Sequence, residues 1–249
     1  METEIDQLRS MVEASQRAVV FTGAGISTES GIPDFRSPGG IWTKYKPIDF
    51  RDFIASEDMR RESWRRKFAS DSVMKTAEAN KGHLAVARLV QLGKVVTVIT
   101  QNVDGLHQRS GVPDEKVIEL HGNATYASCL DCRKRYELED IRKIFEKNET
   151  LPVCDDCNGI VKTATISFGQ AMPVDEVQAS EQETLACDLF LAIGSSLVVY
   201  PAASFPAIAK QNGAKLVIIN RDPTSLDSIA DLALNREIGP TLSAIVDLD

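Results

Sequence analysis

The chain predicts an α/β protein: a doubly wound parallel sheet, Rossmann-like, with a smaller lobe built from a helical insertion and a four-cysteine ribbon. Three observations carry this expectation. Short apolar runs at 18–21, 95–100, 189–193 and 215–219 have the length and β-branching of buried parallel strands, and helical stretches separate them. The first run breaks at Thr22-Gly23-Ala24-Gly25 and leads into a possible helix start at Ile26–Ser30. Two C-x-x-C pairs interrupt the pattern in the middle of the chain.

Taken in order, residues 4–16 place Ile5, Leu8, Met11 and Val12 at helical spacing, as a packing helix does. The strand–glycine turn–helix start that follows has the form of a dinucleotide-phosphate site, because free N–H groups at a helix start attract anions. G-x-G alone also fits an ordinary strand–turn–helix link; the usual third glycine is replaced by Thr28, and no acid ends a strand some 20 residues on. Pro33 then resists a long helix, so Asp34, Phe35 and Arg36 fall on an irregular loop beside the turn. Residues 37–80 carry Trp42, Tyr45, Phe50, Phe53, Trp64 and Phe68 among many charges, and short helices are expected there. Their basic cluster, Arg60, Arg61, Arg65, Arg66 and Lys67, fits a solvated helix face, with an acidic ligand as the alternative.

Residues 81–93 make an amphipathic helix ending at Gly93, and Gln101-Asn102-Val103-Asp104 follows the strand 95–100 at the sheet edge where ligands bind. Of the three histidines, His83 and His107 lie in helical stretches and have a structural reading. His121 ends the short strand 117–120, precedes Gly122, and suits proton transfer near neutrality. Cys129, Cys132, Cys154 and Cys157 form two knuckles separated by 21 residues, close to zinc-ribbon spacing. Four thiolates close a tetrahedral Zn²⁺ site without an open position, so the metal is expected to be structural. A helix over 137–147 should lie outside the ribbon. From Val161 the chain is expected to return to the main sheet, with a strand over 163–168. A polar helix over 174–184 leads to Cys187, expected to be a small buried residue. A second Gly/Ser turn, Gly194-Ser195-Ser196, follows the strand 189–193 and offers hydroxyls and N–H groups to phosphate or ribose. A helix over 202–212 follows, then a strand ending at Asn220-Arg221, where an amide can bond ribose hydroxyls without adding negative charge. Residues 230–234 give the last strand.

A net charge of −8 disfavours nucleic-acid binding. No apolar run approaches the ~20 residues of a membrane span. The first 17 residues are polar and acidic, unlike a signal or transit peptide, and a cytoplasmic location is the expectation.

At least five of these motifs, in order along nearly the whole chain, resemble those of sirtuins, NAD-dependent protein lysine deacylases: GAGISTESGIPDFRS, Gln-Asn-x-Asp, Leu-His-Gly, the paired knuckles and Gly-Ser-Ser-Leu. The resemblance implies transfer of an acyl group from lysine to the nicotinamide ribose of NAD, with release of nicotinamide and O-acyl-ADP-ribose. It implies His121 as general base and Asn102 as holder of water or the nicotinamide ribose. Asp104 would take the nicotinamide carboxamide, with Ile32 packing beside it. Phe35 would shield the reacting ribose. Gly23, Ala24, Gly25, Asp34, Arg36, Gln101, Gly194, Ser195, Ser196 and Arg221 would complete the NAD site, with Asn220 at the adenosine ribose and Ile238 at adenine. Ile166, Phe168 and Gly169 on one side, and Leu197, Val198, Val199 and Tyr200 on the other, would hold the acyl-lysine peptide. Gln170 stands where the family usually has an acid, and Ser167 where an aromatic is common. A subgroup preferring succinyl and malonyl lysine carries Tyr-x-x-Arg where this chain has Lys67 and Ser70. The stretch RESWRRKF is more similar to the class with a mitochondrial, weakly deacetylating member.

The expected division is 1–36, 81–122 and 163–249 for the NAD-binding domain, 37–80 for a helical module and 123–162 for a zinc-ribbon module. Rival functions are an ADP-ribosyltransferase or NAD hydrolase, a non-catalytic reader of acyl-lysine or NAD, and an NAD dehydrogenase.

Overall fold

The computed structural model describes residues 3–248. Residues 1, 2 and 249, included in the expected NAD-binding domain, lie outside them. Among the described residues the strands are β1 (Ala18–Thr22), β2 (Val95–Thr100), β3 (Val117–Glu119), β4 (Gly122–Cys129), β5 (Arg135–Glu137), β6 (Val161–Thr165), β7 (Leu189–Ile193), β8 (Lys215–Ile219) and β9 (Leu232–Leu234). The helices are α1 (Glu4–Ala14), α2 (Ile41–Lys44), α3 (Phe50–Ala55), α4 (Glu57–Thr76), α5 (Lys81–Gln91), α6 (Leu106–Arg109), α7 (Leu138–Asn148), α8 (Val174–Ala186), α9 (Phe205–Gln211) and α10 (Ile238–Val246).

The large sheet is parallel, in the order β3-β2-β1-β7-β8-β9. The strand order reverses direction at β1/β7, so the loops leaving these neighbours diverge and open a crevice at their carboxyl ends. Both faces are covered. Ala18 and Val20 of β1 pack with Val86, Leu89 and Leu242, whereas Val19 and Phe21 pack with Phe190, Phe205 and Leu216. That two-residue alternation within a wholly buried strand is why β1 reads as continuous apolar sequence.

The smaller lobe is an antiparallel sheet, β5-β4-β6, with α7 against it. Its core joins Trp64 of α4 to Ala127, Leu138, Ile141, Phe145 and Val161. The helical insertion and the ribbon therefore share one hydrophobic centre. Asp71, buried in α4, ties them electrostatically, meeting Lys67 at 2.6 Å, Lys75 at 3.2 Å and Arg142 of α7.

Four expectations are corrected. The strand after Val161 does not rejoin the main sheet; β6 pairs with β4, because the chain must recross the ribbon before re-entering the large domain. It ends at Thr165, and Ile166 N–H donates to the His121 carbonyl at 2.8 Å. The insertion is not made only of short helices: α4 runs for 20 residues, held by its Ser56 cap and by Trp64 on its buried side. Residues Ala24–Ser30 form a 3-10 helix, which Gly31 stops in the left-handed region at φ 82°. The last strand starts at Leu232, since residues 227–229 form a 3-10 turn.

Candidate active site

Loops at the carboxyl ends of β1, β2, β7 and β8 meet residues 34–37, 165–172 and 236–238 around a cleft of about 540 Å³. Its floor is two glycine turns in contact. Gly25 N–H donates to the Gly194 carbonyl at 2.7 Å, and Gly23 N–H to Ile193 at 3.0 Å. A Cβ on Gly23 would lie 2.8 Å from the Gly194 oxygen, and one on Gly25 2.8 Å from Gly194 Cα. These glycines are needed because backbone packs on backbone there. Thr28, standing for the missing third glycine, lines the cleft and donates its hydroxyl to the Gly25 carbonyl at 2.9 Å.

Gly23, Ala24, Gly25, Gly194, Ser195 and Ser196 all line the cleft, as do Asn220, Arg221 and Ile238 at one end. Gln101 Nε2 donates to Ser195 Oγ at 2.9 Å, linking the loops after β2 and β7. Asp34, Phe35 and Arg36 line it too. Burial works to raise the Asp34 pKa, but the Ser37 hydroxyl and the N–H groups of Ser37 and Arg36 hold its carboxyl below the ordinary value. Its oxygens are thereby committed to shaping their own loop.

His121 faces the cleft, with Nδ1 3.1 Å from the Gln101 carbonyl oxygen. Burial lowers its pKa and the Gln101 carbonyl opposes that; the net direction is down. Asn102 lies beside it, its Nδ2 donating to Gly23 O at 3.0 Å and to Ser27 Oγ at 3.1 Å. Both amide hydrogens point into the protein, so the amide oxygen is the atom left for a ligand.

Ile166, Phe168, Gly169, Val199 and Tyr200 also line the cleft. Four predicted residues do not line it. Ile32 packs with Ala77 and Leu106. Asp104 is buried, accepting from Ser27 Oγ at 2.8 Å and Leu106 N–H at 2.9 Å. Leu197 is part of the core beside Phe21, and Val198 is half exposed on the outer surface.

The sequence reading missed Trp42. Its ring sits 5.3 Å from Phe35 and 5.4 Å from Phe168, with the Arg36 guanidinium 4.3 Å over it. It bridges the loop after β1 to the loop after β6, and its grouping with the insertion's aromatics concealed it. Glu29 and Glu237 were also missed; Glu29 accepts from Gly239 N–H at 2.8 Å and so anchors α10 under the cleft.

The basic cluster of α4 is a paired surface. Arg61 meets Glu57 at 2.8 Å, Arg66 meets Glu62 at 2.7 Å, and Arg65 binds Glu149. Lys67 is engaged by Asp71, and Ser70 donates to the Arg66 carbonyl at 2.9 Å. Cys187 is buried and donates to the Thr184 carbonyl at 3.1 Å.

The sulfurs of Cys129, Cys132, Cys154 and Cys157 all lie within 4.8 Å of one another. Four thiols from two knuckles match the donor set of a structural zinc site, with no fifth group to leave an open position. The Tyr136 hydroxyl donates to Cys154 Sγ at 3.1 Å, the kind of outer contact that orients a metal ligand.

Fold and cleft together define an enzyme-like nucleotide site between two lobes. The chain belongs to the Sir2 family, whose family model matches residues 23–201. It is 53% identical over 242 residues to the NAD-dependent protein deacetylase of Rhodopseudomonas palustris, covering 97% of this chain and 96% of that one. It is 42% identical over 249 residues to NAD-dependent protein deacylase 2 of Archaeoglobus fulgidus, covering 99% and 96%. Among solved structures, a Sir2–p53 peptide–NAD⁺ complex superposes with TM-score 0.86 at 37% identity, covering 98% of each chain.

Proposed function

We propose that this protein is an NAD-dependent protein lysine deacylase, releasing nicotinamide and forming O-acyl-ADP-ribose. The observation that carries the reading is the convergence of a half-buried histidine, an asparagine oxygen and two interlocked glycine turns in one cleft. NAD fits this cleft: the glycine floor admits a phosphate backbone closely, and Ser195, Ser196 and Asn220 supply hydroxyls and an amide for polar groups. When bound, NAD supplies an electrophilic ribose carbon and a leaving group.

The chain's own residues then have distinct tasks. His121, with Nδ1–H committed to Gln101, offers Nε2 as a base toward a ribose hydroxyl. Asn102 Oδ1 accepts from a water or hydroxyl beside it. Asp104 acts from behind, holding Ser27. Phe35, bracketed by Trp42, screens the reacting centre from water. Ile166, Phe168, Gly169, Val199 and Tyr200 line the same cleft, and an extended acyl-lysine peptide would bind along them through backbone partners. Zinc, held by Cys129, Cys132, Cys154 and Cys157, stabilises the smaller lobe and takes no part in the chemistry. A cytoplasmic location belongs to the same proposal. It is supported by four thiols gathered as a metal site, a use suited to a reducing compartment.

The test is mass spectrometry of the protein with NAD and a panel of acetyl, longer acyl, succinyl, glutaryl and lipoyl lysine peptides, with His121→Ala alongside. Acyl loss matched by O-acyl-ADP-ribose, and absent in the variant, is expected. NAD cleavage without acyl loss on any peptide would overturn the reading in favour of an ADP-ribosyltransferase or hydrolase.

A further inference from the structure

The strand order lays a dinucleotide across the sheet. His121 and Asn102 follow β3 and β2 on one side, the two glycine turns follow β1 and β7 in the middle, and Asn220 and Ile238 follow β8 and β9 on the other. With its reactive ribose at His121 and its diphosphate on the glycine floor, NAD puts its adenine on the β8–β9 side, against Ile238.

That wall is the first turn of α10, and a distant part of the chain holds it. The N-cap of α10, Glu237, makes no side-chain bond, and Pro240 has no N–H. Gly239 N–H donates instead to Glu29 Oε1 at 2.8 Å, on the turn that follows β1. A Cβ on Gly239 would lie 2.2 Å from Glu29 Oε2 and 3.1 Å from Glu29 Cδ, so the carboxylate rests directly on helix backbone. Gly239 lies within an α-helix, and the space taken by Glu29, not an unusual backbone angle, is what calls for glycine there. From another direction, Ile238 Cγ2 lies 3.1 Å from the place where Gly82 of α5 would carry a Cβ. Ile238 is thus clamped while still lining the cleft. Glu29 itself is exposed and lines the cleft. A negative charge in a cleft for a diphosphate opposes the ligand, so Glu29 has a task other than meeting the phosphates.

We propose that Glu29 is a positioning residue for the adenine half of NAD: by holding Gly239 it sets the spacing between the diphosphate turn and the α10 wall. This rests on the deacylase reading only for NAD as the ligand. A wall fixed before binding spares the ligand the cost of ordering it.

The test is calorimetry with ADP-ribose, which keeps the adenine and diphosphate and does not react. Glu29→Ala should weaken binding about tenfold, whereas Glu29→Gln, which keeps an acceptor for Gly239 N–H, should stay within about threefold. Gly239→Ala, whose Cβ displaces the carboxylate, should resemble Glu29→Ala. The double variant should be no weaker than either single one, because both break the same contact. In turnover, KM for NAD should rise in Glu29→Ala while kcat and KM for peptide stay within about twofold. The hypoxanthine analogue of NAD, which lacks the adenine amino group, should suffer the same loss as NAD. Unchanged ADP-ribose affinity in Glu29→Ala, losses that multiply in the double variant, or a matching rise in peptide KM would overturn the proposal. So would a loss confined to NAD and absent with the analogue, since Glu29 would then touch the adenine itself. ADP-ribose binding that depends on Glu29, in a protein that removes no acyl group, would sink the deacylase reading and leave the positioning role standing.

Discussion

The Nδ1 atom of His121 lies 3.1 Å from the carbonyl oxygen of Gln101. A carbonyl only accepts, so Nδ1 carries the proton and Nε2 presents a lone pair to the cleft. Burial sets the pKa of this ring below 6.5. The base form is the neutral one, so activity should rise with pH through a value under 6.5 and be level by neutrality. His121→Ala should lose about 10²–10⁴-fold in deacylation. The pH–kcat/KM profile checks this; an acidic limb above neutrality, or a variant with wild-type rate, would contradict it.

His83 and His107 make the fold sensitive to acid. Burial holds His83 down to about 4 and His107 down to about 3, against an ordinary 6.5. Between those values and 6.5 the unfolded chain binds more protons than the folded one. Stability is therefore intact above 6.5 and falls as pH drops below it, the two rings acting as a coupled pair. Urea melts from pH 7.5 to 4.5 should show this slope, and His107→Leu should flatten it. A slope unchanged in that variant would count against the buried neutral pair.

The zinc centre shares its core with Trp64, which is 2% exposed and packs with Cys129, Cys154 and Phe145. Metal analysis should find one zinc per chain. Removing it with a chelator should expose Trp64 and melt the smaller lobe, since binding energy at such sites is folding energy. In a Trp42→Phe background, fluorescence reports Trp64 alone. Chelation with no red shift would refute the coupling.

Gly194 sits at φ 63°, and a Cβ there would lie 2.4 Å from Ile26 N. Gly194→Ala must part the two glycine turns. It should cost about 2–4 kcal/mol and weaken NAD binding about tenfold or more. Gly213, at φ 96° with open space around it, is the control; its alanine variant should cost only about 1 kcal/mol and leave NAD affinity alone. Calorimetry and denaturant melts separate the two. Equal effects would dissociate the turn contact from binding.

The doubly wound sheet was legible because its strands are short, apolar and each followed by a ligand-edge loop with its own signature: Gly23–Gly25 after β1, Gln101–Asp104 after β2, Gly194–Ser196 after β7. The zinc knuckles were legible from spacing alone. What escaped was tertiary. The membership of β6 depends on pairing with β4, and five residues of alternating sequence carry no address. Trp42 reaches the cleft only because the loop 34–40 folds back, with Ile41 N–H donating to Asp34 and Trp42 N–H to Phe35. Nothing in the sequence signalled the partners of Asp104, expected at the nicotinamide carboxamide: beside the tight turn at Gly105, φ 69°, its carboxylate accepts from Ser27, which Asn102 also contacts, and from Leu106 N–H.

Lys162 is the last test of how the smaller lobe meets the cleft. It is 4% exposed, donates to the Thr165 carbonyl at 2.5 Å and lies 5.8 Å from the centre of the Phe53 ring. It thus joins α3 to the strand that ends at the cleft-lining Thr165. Burial alone lowers its pKa from 10.5 to about 8. Between 8 and 10.5 the unfolded state binds the extra proton, so stability should rise with pH across that window; below 8 the full cost of a buried charge is present. Other titrations cancel when wild type is compared with Lys162→Met. The stability difference should move in favour of wild type by about 3 kcal/mol between pH 8 and 10.5. A difference that stays flat would mean that Lys162 is solvated in solution, and that the contact between α3 and β6 opens.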